Sequence, residues 1–487
     1  MTSTSRSQSW NSALSVRPGN LDISISQSEI RGSIPDGLLG GRLLSNGPGW
    51  NTYDNLVVHP FDGHGYIRSY HFNLDGSVDI KARFINTEVY REESVTNSFI
   101  YRGLGTNPSE DFWKNISFTK IRNVANTTVY SFFGRLIAGW EGGVPHALDP
   151  VTLETLGEET FDGLVQDKVT LAHIHYDKQK EHVLVVNIQR GRNTGIEIHE
   201  LNDKGTHVST RKGEILGTAF VHDFMFSKSW YIFGSNALQL DLFNVLKSFM
   251  GVGTLMTSLR ADIQKPGELV LISRETPDVT RRIRLPKPVF VVHFVNAFER
   301  SDGTLIVDAC IFHDFTFGQE FGYVDRHSPF EPELSDLREP QSLYRITVPP
   351  YSDEADWELL APHSVDFPRV HPDFEGRETS YFVGATRRDT RFSDPFDSLI
   401  YLDLHTPNAK PDLWTAPPDV FVGEPIVAPD KKIGIDYVLV LLSDGLQEMT
   451  TLAIFEARDI TKGPVCEIPM PLMPIAFHGC WESKKEG

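Results

Sequence analysis

Four histidines sit in apolar, strand-like surroundings that could hold them against a metal: His173 in "LAHIHYD", His222 in "FVHDF", His293 in "FVVHFVNAF" and His478 in "AFHGCW". Neutral imidazole is a ligand of intermediate softness, suited to iron, copper or zinc. The four lie 49, 71 and 185 residues apart along the chain. That is not the local spacing of a zinc finger or of two ligands on one helix face. It fits a metal held where distant strands converge, as on the axis of a β-propeller. The chain has 17 histidines, so most must be structural or exposed, and context has to separate ligand from bystander. "LAHIHYD" poses the problem directly. Read as a strand, it turns His173 and His175 to the same face, and periodicity cannot choose between them.

The elements that would position these residues are short strands ended by turns. Residues 182–189, 303–312, 342–348, 398–404, 437–442 and 450–455 are rich in Val, Ile, Leu, Tyr and Thr. Turn signals such as "NGPG" (46–49), "FDG" (61–63 and 161–163) and "SDG" (443–445) punctuate the chain. Long amphipathic helices are nearly absent, so the fold class reads as all-β, either stacked sandwiches or a β-propeller. No exact repeat is visible, so a propeller would have diverged blades. Pro and Gly are spread throughout without a clean linker. The reading is therefore a polar N-terminal tail over 1–25 and a single β-propeller domain over 26–487. One segment, 236–259, breaks the strand rhythm: it is apolar, partly helical in pattern, and too interrupted by Asp, Lys and Gly to span a bilayer. It reads as an insertion on the core or as a surface patch that dips into lipid.

Bulk properties narrow the function classes. The 487 residues carry a formal net charge of −19, which argues against a nucleic-acid partner, since phosphate binding needs clustered Lys and Arg. Three cysteines, Cys310, Cys466 and Cys480, make no disulfide framework and cannot hold a metal by themselves. The N-terminus is polar, without the apolar core of a secretory signal. The expected location is cytoplasmic, with peripheral membrane contact through 236–259 left open.

In order along the chain stand "GSIPDGLLGGRLLSNGPG" (32–49), "HPFDGHGYI" (59–67), "NVANTTVY" (123–130), "WEGGVPHALDP" (140–150), "AFVHDF" (219–224), "NAFE" (296–299), "FVGEPI" (421–426) and "FHGCW" (477–481). Together they resemble the carotenoid cleavage oxygenases, most closely the bacterial apocarotenoid 15,15′-oxygenase branch, from about residue 30 to about residue 482. The resemblance implies a seven-bladed β-propeller with Fe(II) on its axis, loops and short helices capping one face, and His173, His222, His293 and His478 as ligands. It selects His173 over His175. It also implies carboxylates that orient the ligand imidazoles: Glu141 for His222, Asp366 for His293 and Glu424 for His478. Asp366 departs from the family Glu. Being one methylene shorter, it would need a backbone shift or a bridging water to reach its histidine. His64 in "FDGHG" stands where the family usually has Asp. Thr127 matches a family threonine near an open iron position, and the resemblance implies that it gates access there.

The implied activity is oxidative cleavage of a conjugated C=C bond of an apocarotenoid or carotenoid by O2, giving aldehydes such as retinal. Stilbene cleavers of the family carry a Lys before the first orienting Glu, where this chain has Trp140. An indole offers one neutral N–H and cannot replace that ammonium. Trp140, Tyr101, Phe224 and Phe294 are the candidate substrate contacts, with an apolar polyene and O2 as partners. Two alternatives remain at this point: a stilbene-cleaving oxygenase of the same family, and a non-catalytic β-propeller used as a binding scaffold.

Overall fold

The computed structural model describes residues 4–484 apart from 55, 117–121, 167, 313–322, 324, 331–340, 389–394 and 407. Seven antiparallel sheets of four or more strands form the blades of a propeller. The runs read as strands are strands: His182–Gln189, Leu305–Phe312, Ser342–Val348, Ser398–Asp403, Ile435–Asp444 and Met449–Glu456. The ends of the chain close the ring. His478–Glu482 pairs with Arg42–Asn46 in one blade, and Arg31–Gly32 pairs with Cys466–Pro471 in the next. Pairing residues this distant in sequence makes closure a tertiary event that no local pattern encodes.

The blades pack face to face through apolar side chains. The largest core cluster joins Leu184 and Ile198 of one blade, Phe233 and Leu271 of the next, and Val307 and Ile346 of a third. Four of the blades bring a histidine at or near an innermost strand to one cluster. His222 lies three residues before the Met225–Phe226 strand, His293 lies within Phe290–Glu299, and His478 opens His478–Glu482. The second strand of the His222 blade, Trp230–Gly234, returns toward that cluster before the chain resumes at Glu268–Ser273. The 236–259 segment therefore sits at the end of the propeller that carries the four histidines. It holds a short hairpin, Leu238–Leu240 with Leu259–Ala261, and a helix, Leu242–Phe249. Asp241 caps this helix by accepting the N–H groups of Phe243 and Asn244.

The N-terminal residues are not the tail expected from their polarity. Ser5–Ser15 forms a helix capped by the Thr4 hydroxyl. Trp10, Ala13 and Leu14 are buried, with the Trp10 ring 4.8 Å from Phe421. A few apolar side chains among serines suffice because they meet a preformed apolar face.

Several histidines are buried as neutral groups far from the four-histidine cluster. Burial lowers the pKa of His64, His146 and His199 to about 4 each. In the unfolded chain these groups take up protons near pH 6.5, so between about 6.5 and 4 the unfolded state binds more protons than the native one. Stability is then full above pH 6.5 and falls as pH drops through this window, by up to about 3 kcal/mol per histidine. Urea denaturation of a His199→Gln variant should show a shallower loss between pH 6.5 and 4. An unchanged slope would rule out His199 as a contributor.

Candidate metal centre and cavity

His173, His222, His293 and His478 offer one ligand atom each, all within 4.8 Å of one another. The Nε2 atoms of His173 and His222 are 3.2 Å apart, those of His222 and His293 3.1 Å, and those of His293 and His478 3.3 Å. These are not hydrogen bonds in any useful sense. Imidazole–metal bonds of about 2.1 Å place neighbouring nitrogens about 3.0 Å apart around an octahedral ion. The opposite ring nitrogens explain why the lone pairs face inward. His293 Nδ1 donates to Asp366 at 2.6 Å and His478 Nδ1 to Glu424 at 2.9 Å, which leaves each Nε2 unprotonated when the ring is neutral. Four imidazole nitrogens packed this closely, two of them with their lone pairs turned inward by these acids, are the arrangement a cation between them would occupy, so the donor set fits a metal ion.

Electrostatics follow from burial. Burial, helped by the other histidines, holds His173 well below the ordinary imidazole pKa. It also holds His478 near 4. His293 is different: burial opposes charge, but Asp366 outweighs it and raises its pKa. A cation at the cluster competes with that proton for the Nε2 lone pair. Glu424 is pushed up by burial and pulled down further by Arg369, whose guanidinium donates to Oε1 from Nη2 at 2.7 Å.

Asp366, Glu424 and Glu141 each lie beside one of the histidines, with different geometry. Asp366 reaches His293 directly, without a bridging water. The reach comes from the backbone: the pairing of Val365–Arg369 slips between Asp366 and Arg369, and Phe367 takes a left-handed φ of 49°. This bulge carries the shorter side chain inward, and the N–H of Phe367 donates to Asp366 at 2.9 Å. Glu141 Oε1 lies 3.1 Å from His222 Nδ1. That approach is off the angle of a hydrogen bond, and both carboxylate oxygens are buried with no aligned donor among the described residues.

"LAHIHYD" does not run as one strand. The strand begins at His175, and His173 lies just before it. His173 faces the cluster, whereas His175 faces two carboxylates, with Nε2 3.0 Å from Asp223 and Nδ1 3.0 Å from Glu375. Burial works against its charge, yet the two acids raise its pKa to about 10.

An apolar cavity of about 760 Å³ opens onto the cluster. Trp140, Thr127, Phe220, Phe367 and Phe477 line it near the histidines, and Val245, Phe249 and Met256 of the insertion line its outer part. Two of the expected substrate contacts belong elsewhere. Phe224 is fully buried in the core, its ring 4.7 Å from His175, and Phe294 is buried beside His293; neither lines the cavity. For Phe294 the reason is alternation, since a strand sends His293 and its successor to opposite faces; Phe224 lies in the irregular stretch before Met225–Phe226, where no strand period applies, and it packs on His175 and Phe233. Tyr101 also stays outside the cavity lining, and its hydroxyl donates to Glu92. Trp10, Phe61 and Phe421 line the cavity and escaped sequence reasoning, as they lie far from every ligand in the chain. Asp223 was missed too, although it directly follows His222.

A seven-bladed propeller with four axial histidines at the end of an apolar cavity defines a class of metal-dependent enzyme acting on apolar substrates. The profile of the retinal pigment epithelial membrane protein (RPE65) family matches residues 18–483. The chain belongs to this family, the carotenoid oxygenases, which are non-haem iron-dependent. It is 29% identical to apocarotenoid-15,15′-oxygenase of Synechocystis over 97% of this chain and 96% of that protein. It is 27% identical to the chloroplastic carotenoid cleavage dioxygenase 7 of rice, over 92% of this chain and 87% of that one. The crystal structure of cobalt-substituted Synechocystis apocarotenoid oxygenase superposes with a TM-score of 0.89 at 28% identity, covering 98% of this chain and 99% of that one.

Proposed function

We propose that this chain is an Fe(II)-dependent dioxygenase that cleaves a conjugated C=C bond of an apocarotenoid or carotenoid to aldehyde products such as retinal. The observation that carries the reading is the apolar cavity ending on four clustered imidazole nitrogens. His173, His222, His293 and His478 would hold the ion, and Glu141, Asp366 and Glu424 would fix their tautomers and orientation. Bound ferrous iron supplies the activation of O2. The protein positions the double bond and excludes water. Thr127, 8% exposed and lining the cavity, donates its hydroxyl to Asn126 at 3.2 Å, which fixes its rotamer at the entry to the metal.

Trp140 supports a polyene over a phenolic stilbene. It is 3% exposed, lines the cavity next to Glu141, and offers area without a charge for a phenol hydroxyl. The expected result from one panel of apocarotenals and hydroxylated stilbenes, read by product mass, is two carbonyl fragments from an apocarotenal and intact stilbenes. Cleavage of stilbenes alone would overturn the substrate assignment, and no cleavage of either would leave the scaffold reading standing.

The helix Leu242–Phe249 supports delivery from a lipid surface. Leu242, Phe243 and Phe249 are 76%, 65% and 77% exposed, while Phe249 also borders the cavity. No described helix is long and apolar enough to cross a membrane. Contact would therefore be peripheral, with the apolar face dipping into the bilayer where a polyene dissolves.

A further inference from the structure

We infer that Asp223, braced by His175 and Glu375, is the common anchor that sets the positions of three of the four metal-ligating histidines. The inference rests on the reading of the four histidines as a metal site. Asp223 directly follows His222, and its Oδ2 accepts the N–H of Phe294, the residue after His293, at 2.9 Å. Its Oδ1 accepts the N–H of Phe224 at 2.8 Å and Nε2–H of His175 at 3.0 Å. His175 in turn is two residues from His173, whose Nδ1 stands 3.9 Å from the same Oδ1. One buried carboxylate therefore ties together the segments that carry His173, His222 and His293. Strand pairing around His293 slips twice, at Val291/Phe294 and at Phe294/Asn296. The ladder does not fix the backbone there, and Asp223 supplies the missing constraint.

His175 holds Asp223 in place and satisfies it. The ring stands 3.0 Å from an acid at each nitrogen and so bridges Asp223 to Glu375. Glu375 sits in a loop that is itself latched: Gly376 N–H donates to Asn296 Oδ1 at 2.9 Å and Asn296 Nδ2 donates to Arg377 O at 2.6 Å. Gly376 has φ 76°, and a Cβ there would come within 2.3 Å of the Phe226 ring, so the loop can press against the strand only with glycine. Asp223 and His175 touch neither substrate nor metal and act through the ligands; they are positioning residues. Among the described residues His173 has no aligned carboxylate of its own, and this bridge takes that place.

The test separates positioning from packing. His175→Phe keeps an aromatic ring between Phe224 and Phe226 but removes both N–H groups. Cobalt(II) and iron(II) affinity by chelator competition, the visible spectrum of the cobalt-loaded full chain, and the melting temperature are measured together. His175→Phe should weaken metal binding about 10- to 100-fold and change the cobalt bands. His175→Ala should still load metal at saturation, unlike His173→Ala, which removes a ligand. Glu375→Ala should weaken affinity several-fold, whereas Glu375→Gln, which keeps an acceptor for His175, should stay near wild type. Wild-type affinity and an unshifted spectrum in His175→Phe would overturn the inference. If His175→Phe does not fold, a Glu375→Ala variant indistinguishable from wild type would overturn it equally. A wild-type chain that binds no cobalt or iron would sink the metal-site reading, and this inference with it.

Discussion

His222→Ala should abolish cleavage and strip the chain of its metal. Wild-type protein purified anaerobically should contain about one iron per chain, by the count of one four-histidine site. Losing an outer-shell partner of a ligand already costs about 10- to 100-fold in affinity, and losing a ligand costs more, so iron in the variant should fall more than ~10-fold. His222 is the informative choice because its Nε2 is within 3.2 Å of both His173 and His293. Removing it would take away one of the four ring nitrogens and the imidazole 3.1 Å from Glu141. The fold should survive, since His222 lies outside the strand pairing. Iron retained at wild-type level, measured by metal analysis alongside circular dichroism, would show that the metal is held elsewhere.

Arg122→Ala should destabilise the chain by about 3–5 kcal/mol, because it breaks a buried ion pair by removing one partner. Glu93 is fully buried and collects five donors: Arg122 at 2.5 Å, the His64 ring at 2.8 Å, the Tyr53 hydroxyl at 3.0 Å and the N–H groups of Ile100 and Tyr101. Burial alone would raise its pKa, but His64 and Arg122 hold it well below the ordinary carboxylate range. Without Arg122 the carboxylate keeps His64 as its sole potential cation. The variant's deficit should therefore shrink as pH falls and His64 takes up a proton, opposite in sign to the wild-type acid sensitivity. Urea midpoints at pH 8 and pH 5.5 measure this, and an equal deficit at both would show that Arg122 contributes packing alone. The same cluster carries function indirectly. Arg122 Nε donates to Asp62 O, and Asn126 Nδ2 donates to Gly63 O, which fixes the loop leading to Thr127 in the cavity wall. His64, without an assignable role in the sequence, is thus a donor to a buried acid.

The four clustered histidines and the acids beside them were legible because each sits in a short motif whose order along the chain is itself informative. The motif in "LAHIHYD" separated His173 from His175 where alternation could not. Asp366 could be named but not its reach, because a bulge is a property of two paired strands and the sequence shows one at a time. Phe224 and Phe294 were misread as substrate contacts for the same reason: proximity in sequence to a ligand says nothing about which face a neighbour takes. The helix at Ser5–Ser15 was hidden by its serines, since its stability comes from Phe421 and its neighbours rather than from its own pattern.

The amino-acid sequence by itself determined the all-β architecture, the strand runs, which four histidines cluster and the apolar character of the 236–259 segment. These follow from local composition and from motifs read in order. Only the tertiary structure decided how the ring closes, which phenylalanines line the cavity, that Asp366 reaches its partner, and that Asp223 and His175 join three ligand segments. Each of those depends on contacts between residues tens to hundreds of positions apart. Such contacts are set by the packing of whole blades, where burial, register and close approach act together, and no single segment carries that information.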